Sequence, residues 1–381
     1  MREPATSADS KAPAANTAGT PPWLVGPLFD ALCIAWAWVP FYLFVVFGLG
    51  LDGVVSQARD PAPELGLAIL TALGISYVHR HYTFLLVYGD GETLAQHRRA
   101  YLILPPILLA ALALVLTLQG QVRLELLGLK LRPWMLVLIV TGAWNMWHTI
   151  MQRHGLARIY AGRAGGGLQE RTHARRDLAL VWSAAALTAV LTLMFRAETF
   201  AAVGNARRAL QAAEPILAGP VPWILLLVVA SVFLQIAYGW VVHEHAAAVT
   251  PARRVPRLNF WASTFALLAV FLVHGPIIGY LCFGVAHAVE YVFFFHVFGR
   301  KKFAGRPPER LGVAGKVLAR PLLWGPLIAL ILIGAFLLLK DQRRSEPYLI
   351  YYTATSLLHF LYDGWIWKVR KPEVARVVLG D

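Results

Sequence analysis

The sequence predicts an all-α protein: a polytopic integral membrane helical bundle of about ten transmembrane helices. Three observations carry that expectation. Hydrophobic residues make up 58% of the 381, apolar runs recur at the length of about 18 residues or more that a helix needs to cross a bilayer, and the basic residues fall between those runs. A water-soluble fold would have nowhere to bury so much apolar surface. The net charge of +14 is explained by membrane topology rather than by phosphate contacts, so nucleic acid is excluded as a partner. Cys33 and Cys282 lie far apart inside apolar segments, which leaves no disulfide framework and no CxxC motif.

Residues 1–22 are rich in Ala, Pro, Ser and Thr and lack an apolar signal core, so they read as a disordered tail. The first membrane helix must then direct insertion. Residues 23–370 form a single transmembrane domain and 371–381 a C-terminal tail. Within the domain, apolar segments fall at about 24–50, 65–88, 100–118, 133–152, 177–196, 219–241, 258–275, 277–299, 320–340 and 346–367. Only Gly275 and Pro276 separate the seventh from the eighth, which leaves open two helices, one long kinked helix or a re-entrant pair.

Lys and Arg give an independent test of orientation, because cytoplasmic loops retain them. With ten spans, the side holding both termini carries more than twice the Lys and Arg of the other, so both termini are expected in the cytoplasm of a bacterial inner membrane. The stretch 153–176, with Arg153, Arg158 and Arg163, and the stretch 300–320, with Arg300, Lys301, Lys302, Arg306, Arg310, Lys316 and Arg320, dominate. They are expected to meet anionic lipid headgroups.

Ionisable side chains inside spans are costly and mark protein interiors, cavities or bound ions. This chain places Asp30, His79, His81, His148, His274, His287, Glu290, His296, His359 and Asp363 within its apolar segments. Counting from the nearest charged loop or tail residue, His79, His81, His287, Glu290 and His359 lie roughly 14 to 20 Å deep on the cytoplasmic side. His287 and Glu290 are three apart and His359 and Asp363 four apart, so each pair shares a helix face. His79 and His81 point about 200° apart. Asn145, His148 and Gln152 form another polar stripe. Such convergence is the pattern of a metal site built between facing helices. The candidate metal ligands are His79, His81, His148, His287, Glu290, His359 and Asp363, with Glu290 and Asp363 also the candidate catalytic carboxylates. Single interfacial histidines such as His97, His154, His173, His243 and His245 are expected to serve structure.

A nitrogen-rich site with carboxylates and no thiolates favours a transition metal, one or two irons, over structural zinc. The local patterns are HRH at 79–81, WHTIMQRHG at 147–155, HAVEYVFFFH at 287–296 and HFLYD at 359–363. In its polytopic helices and scattered intramembrane histidines the chain resembles the histidine-rich membrane non-haem iron oxygenases. These include the desaturase, hydroxylase and alkane-hydroxylase group and the Brp/Blh-type carotene-cleaving dioxygenases. It has no adjacent His pair, so it departs from the desaturase boxes and is more similar to the carotene-cleaving type. The resemblance implies an oxygenase acting on a lipid-soluble acyl chain, terpenoid or carotenoid, surrounded by membrane lipids and, where electrons are needed, served by a separate electron-donor protein. Two other readings stay open: a proton- or metal-coupled transporter, which a continuous polar path from His274 to the inner cluster would favour, and a b-type haem protein, for which His274 and His287 are 13 residues apart.

Overall fold

Proline starts helix after helix in this chain. Its fixed φ suits the first turn, where the missing N–H would have had no helical partner. The computed structural model describes residues 20–51, 63–126, 129–196, 214–307, 309, 311–342, 345–367 and 372–379. Most of the expected N-terminal tail, residue Arg310 of the basic stretch and the ends of the C-terminal tail lie outside the described residues. The helices are α1 (Pro27–Ala35), α2 (Val39–Gly48), α3 (Pro63–Gly89), α4 (Gly91–Gln96), α5 (Arg98–Leu118), α6 (Pro133–Ala164), α7 (Arg171–Phe195), α8 (Val221–Ala246), α9 (Pro251–Lys302), α10 (Val313–Leu318), α11 (Pro321–Leu339), α12 (Glu346–Ile366) and α13 (Pro372–Leu379). Proline occupies the first or second position of α1, α2, α6, α8, α9, α11 and α12. The only strands among the described residues form a short antiparallel hairpin of Leu124–Leu126 with Leu129–Leu131, so the class is all-helical as expected.

Among the described residues, five helices are long and apolar enough to cross a membrane: α5, α7, α8, α9 and the stretch of α11 up to Gln342. A sixth is added if α1 and α2, bent by 53°, count as one span. The ten expected spans are therefore recovered only in part. Among the rest, α3, α6 and α12 are long enough to cross, but they carry the histidines and charged groups that lower their hydropathy.

The chain turns back on itself within α9. Gly275 has φ 81 and ψ 173, a backbone conformation that L side chains rarely adopt. Residues 271 and 283 would sit about 18 Å apart on a straight helix, yet the Phe271 and Phe283 rings are 6.0 Å apart. Arg153 likewise bonds Thr264 before the break and Glu290 after it. The seventh and eighth apolar segments are therefore two antiparallel helical arms. They pack against α1, α3, α6 and α7.

Apolar side chains cover much of the outer surface as well as filling the core, while many ionisable groups of the helices are buried. Leu322 and Leu338 on α11 are 93% and 84% exposed, and Leu227, Leu234 and Tyr238 on α8 are exposed as well. Buried within are Asp30, His79, Arg80, Arg153, Asp177, Arg257, His287, Glu290, His359 and Asp363. Exposed apolar surface on this scale suits lipid contact. It is consistent with an integral membrane protein.

The structure corrects the reading of the arginines at 153–176. Helix α6 runs on to Ala164 instead of ending near 152, passing through Gly155 and Gly162, and stops at Gly165, whose φ of 80 leaves the helical region. Arg153, Arg158 and Arg163 thus lie on a helix packed into the bundle. Arg153 pairs with Glu290, Arg158 with Asp177 at 2.8 Å, and Arg163 donates to the carbonyls of Pro21, Trp23 and Val378. Buried cations need such partners. In the other basic stretch, Lys302 pairs with Asp90 and Arg306 with Glu92.

Candidate metal centre

A histidine followed four residues later by a hydrogen-bonding side chain recurs on four helices. The pairs are His79 and Thr83 on α3, His148 and Gln152 on α6, His287 and Tyr291 on the second arm of α9, and His359 and Asp363 on α12. Each pair shares one helix face, and the faces meet. His79 Nε2 lies 3.1 Å from His359 Nε2, which is 3.4 Å from His287 Nε2 and 3.5 Å from Asp363 Oδ2. His148 Nε2 is 3.5 Å from that same oxygen. Two overlapping groups result, His79, His287 and His359 in one and His148, His359 and Asp363 in the other, each with its ligand atoms within 4.8 Å of one another. All five side chains are buried.

These spacings fit a shared metal ion. Metal–nitrogen bonds of about 2.0–2.1 Å give ligand-to-ligand edges of about 2.8 to 3.4 Å in octahedral and tetrahedral shells, the range of the two Nε2 contacts. Without a cation the arrangement is poorly satisfied: His359 Nε2 faces two other ring nitrogens but offers one proton or one lone pair. His148 Nε2 is buried with no hydrogen-bond partner.

Thr83 organises the far side of the cluster. Its hydroxyl lies 2.7 Å from His359 Nδ1 and 2.6 Å from the Tyr291 hydroxyl, and it donates to Asp363 Oδ1 at 3.0 Å. Tyr291 also donates to Asp363 Oδ1 at 3.0 Å and accepts from Trp367 Nε1. Because the Thr83 proton goes to the carboxylate, its oxygen accepts from His359 Nδ1–H. That tautomer leaves the His359 Nε2 lone pair aimed into the cluster. Asp363 is divided in the same way, with Oδ1 held by two hydroxyls and Oδ2 facing His148 and His359.

Of the seven candidate ligands, the structure brings together His79, His148, His287, His359 and Asp363. It places the other two elsewhere. His81 points away, as its angle from His79 required, with Nδ1 2.6 Å from the Tyr77 carbonyl and Nε2 2.7 Å from the Tyr351 hydroxyl. Glu290 shares the α9 arm with His287 but its carboxylate is bound to Arg153. Arg153 also donates to Thr264 at 3.1 Å and Ser263 at 3.2 Å. In the polar stripe, Gln152 donates to the His287 carbonyl at 3.1 Å, while Asn145 donates to Tyr280. His296 contacts Tyr82. Asp30 accepts from the backbone of Leu24 and Val25 and from Tyr160.

Neither alternative gains support from this geometry. The His79 ring is edge-on to those of His287 and His359, at centroid distances of 4.8 and 4.6 Å, which leaves no slot for a planar macrocycle between axial ligands. His274 bonds Tyr42 at 2.9 Å, and the buried residues between it and His287 on this arm are apolar.

Sequence reasoning missed Thr83 and Tyr291 as organisers of the site. The signal that finds both is the repeated four-residue step from each histidine. Compared with protein-family models, curated proteins and solved structures, the chain matches none.

Proposed function

We propose that the protein is a membrane-embedded, metal-dependent oxygenase, with non-haem iron held by His79, His148, His287, His359 and Asp363, acting on a lipid-soluble substrate. The observation that carries this reading is the convergence of four imidazoles and one carboxylate from four helices at metal-ligand spacing. Nitrogen and oxygen donors without thiolate suit ferrous iron in oxygen-using sites. Iron bound there would supply activation of dioxygen. The chain's own residues do the rest. Thr83 and Tyr291 fix the orientation of Asp363 and His359, the Trp367 indole holds Tyr291 in place, and the Phe360 ring packs 4.9 Å from that of His148.

The same reading places ten spans in a bacterial inner membrane with both termini cytoplasmic. Helices α1 and α2 together make one span, α3, α5, α6, α7, α8, α11 and α12 seven more, and the two arms of α9 the last two. Substrate reaches the site from the surrounding membrane lipid, and a separate electron-donor protein serves the reaction where it consumes electrons.

The test is elemental analysis of the detergent-purified protein with an absorption spectrum of the same sample, repeated on His359→Ala and His287→Ala. Near-stoichiometric iron without a haem band in the wild type, lost in both variants while membrane insertion persists, is the expected result. A haem band, another metal in place of iron, or full metal retention in both variants overturns it.

A further inference from the structure

Beside His79 sits a buried cation without a counter-charge. Arg80 is 1% exposed, and among the described residues no carboxylate forms an ion pair with it. Its Nη1 is anchored to α12, donating to the Tyr352 carbonyl at 2.9 Å and to the hydroxyls of Ser356 and Thr355. The guanidinium stacks on the half-buried Tyr352 ring, 3.7 Å from its centroid. That contact and the Nη1 bonds offset part of the cost of burial. They leave the Nε and Nη2 donors buried with no partner.

Which donors are free decides what they fit. Nε–H and Nη2–H are the two parallel N–H groups along one edge of the guanidinium, the fork that takes both oxygens of a carboxylate or phosphate at once. A buried arginine held on one side, with both donors of its bidentate edge unpartnered, has the chemistry to receive an oxyanion. The two helices that hold Arg80 also carry cluster histidines. Arg80 follows His79 directly, and its anchor Ser356 precedes His359 by one helical turn, about 5 Å along the axis.

Resting on the oxygenase reading above, the geometry points to Arg80 as the recognition site for the carboxylate of an amphipathic substrate. The substrate class is then a free acid with an apolar tail, in place of an uncharged hydrocarbon such as a carotenoid. The carboxylate binds the Nε/Nη2 edge, between the helices that also carry His79 and His359. Lysine could supply the charge but not the two-pronged edge.

The experiment is binding of palmitate and of methyl palmitate to the full-length protein in detergent, with phosphatidate as competitor, in wild type, Arg80→Gln and Arg80→Lys. Metal content is measured on every sample. The expected result is that wild type prefers the acid over the ester by about ten- to hundredfold, as a charge-assisted bidentate contact implies. Both variants should lose that preference while keeping their metal. Equal binding of acid and ester by the wild type overturns the proposal, and that comparison needs no variant to fold. Unchanged acid preference in Arg80→Gln overturns it too. Stronger binding of phosphatidate than of palmitate assigns the edge to a lipid headgroup and refutes the substrate carboxylate. Metal loss in His359→Ala reports on the oxygenase reading alone, so the two failures are distinguishable.

Discussion

Replacing Thr83 with Val keeps the β-branched shape and removes only the hydroxyl. In the structure that hydroxyl joins His359 Nδ1 at 2.7 Å, Tyr291 at 2.6 Å and Asp363 Oδ1 at 3.0 Å. At a net value of about 1 kcal/mol per hydrogen bond, the bond the hydroxyl donates to Asp363 and the one it accepts from His359 Nδ1–H sum to about 2 kcal/mol. Groups that orient metal ligands usually change metal affinity by about 10- to 100-fold when removed, which is about 1.4 to 2.7 kcal/mol. The two routes agree, so Thr83→Val is expected to weaken metal binding by about 10- to 100-fold. The assay is chelator competition on the detergent-solubilised protein, with Thr83→Ser as the control that restores the hydroxyl. A structural role alone would lower the melting temperature of the metal-free protein without changing the competition constant. Affinity within about twofold of wild type in Thr83→Val would refute the positioning argument.

Three further outcomes follow from other parts of the fold. Glu290→Gln leaves Arg153 buried and unpaired, so it is expected to cost about 3 to 5 kcal/mol of stability in a denaturation assay, with any fall in metal affinity accompanying that loss. Metal loss with unchanged stability would return Glu290 to the ligand set. Gly275→Ala forces a side chain into φ 81 at a cost of about 1 to 3 kcal/mol, read as a lower melting temperature, and an unchanged melting temperature would mean the turn is not strained. Burial works against the Asp90 charge, but Lys302 and Thr93 outweigh it and hold the carboxyl below its ordinary value. The stabilisation is therefore complete above the unfolded carboxyl value of about 3.9 and fades as pH falls through the lower folded value. Asp90→Asn should lower the melting temperature at pH about 7 and have little effect in strong acid; equal losses at both would refute the ion pair.

The apolar runs and the buried histidines were legible because each is a local property of the sequence. Period and length place a helix, and a shared face follows from a step of three or four residues. His287 and His359 could be assigned to one depth this way. The partner of a charge is not local. Glu290 shares the inward side of its helix with His287, and nothing in the sequence near 290 says that Arg153, on another helix, claims it. The same limit misplaced Arg153, Arg158 and Arg163. A basic residue after an apolar run reads as a loop, yet α6 runs three further turns and buries them. Arg80 escaped notice for a related reason: it stands between two histidines, and only its partners on α12 reveal that its Nη1 is taken and its other two nitrogens are not.

The buried ion pairs also explain how a lipid-exposed bundle can fix a ligand geometry. Lipid tails solvate an apolar helix face as well as a neighbouring helix does, so apolar packing alone sets helix rotation weakly. A rotation of α9 about its axis would swing His287 out of the cluster. It would also separate Glu290 from Arg153, leaving two unpaired charges in a dry interior at a cost of several kcal/mol. One turn of the same arm thus carries both the ligand and its rotational lock. The network of Arg257 with Asp177 and Glu244 ties the first arm to α7 and α8 in the same way. Asp30 with Tyr160 ties α1 to α6, the helix that carries His148. If these pairs set rotation, charge-neutral replacement of both partners, Arg153→Met with Glu290→Gln, should leave the protein folded but loosen the His287 position. Metal affinity would then fall in the double variant even where stability is recovered. Recovery of both together would show that packing, and not the ion pair, orients the histidine.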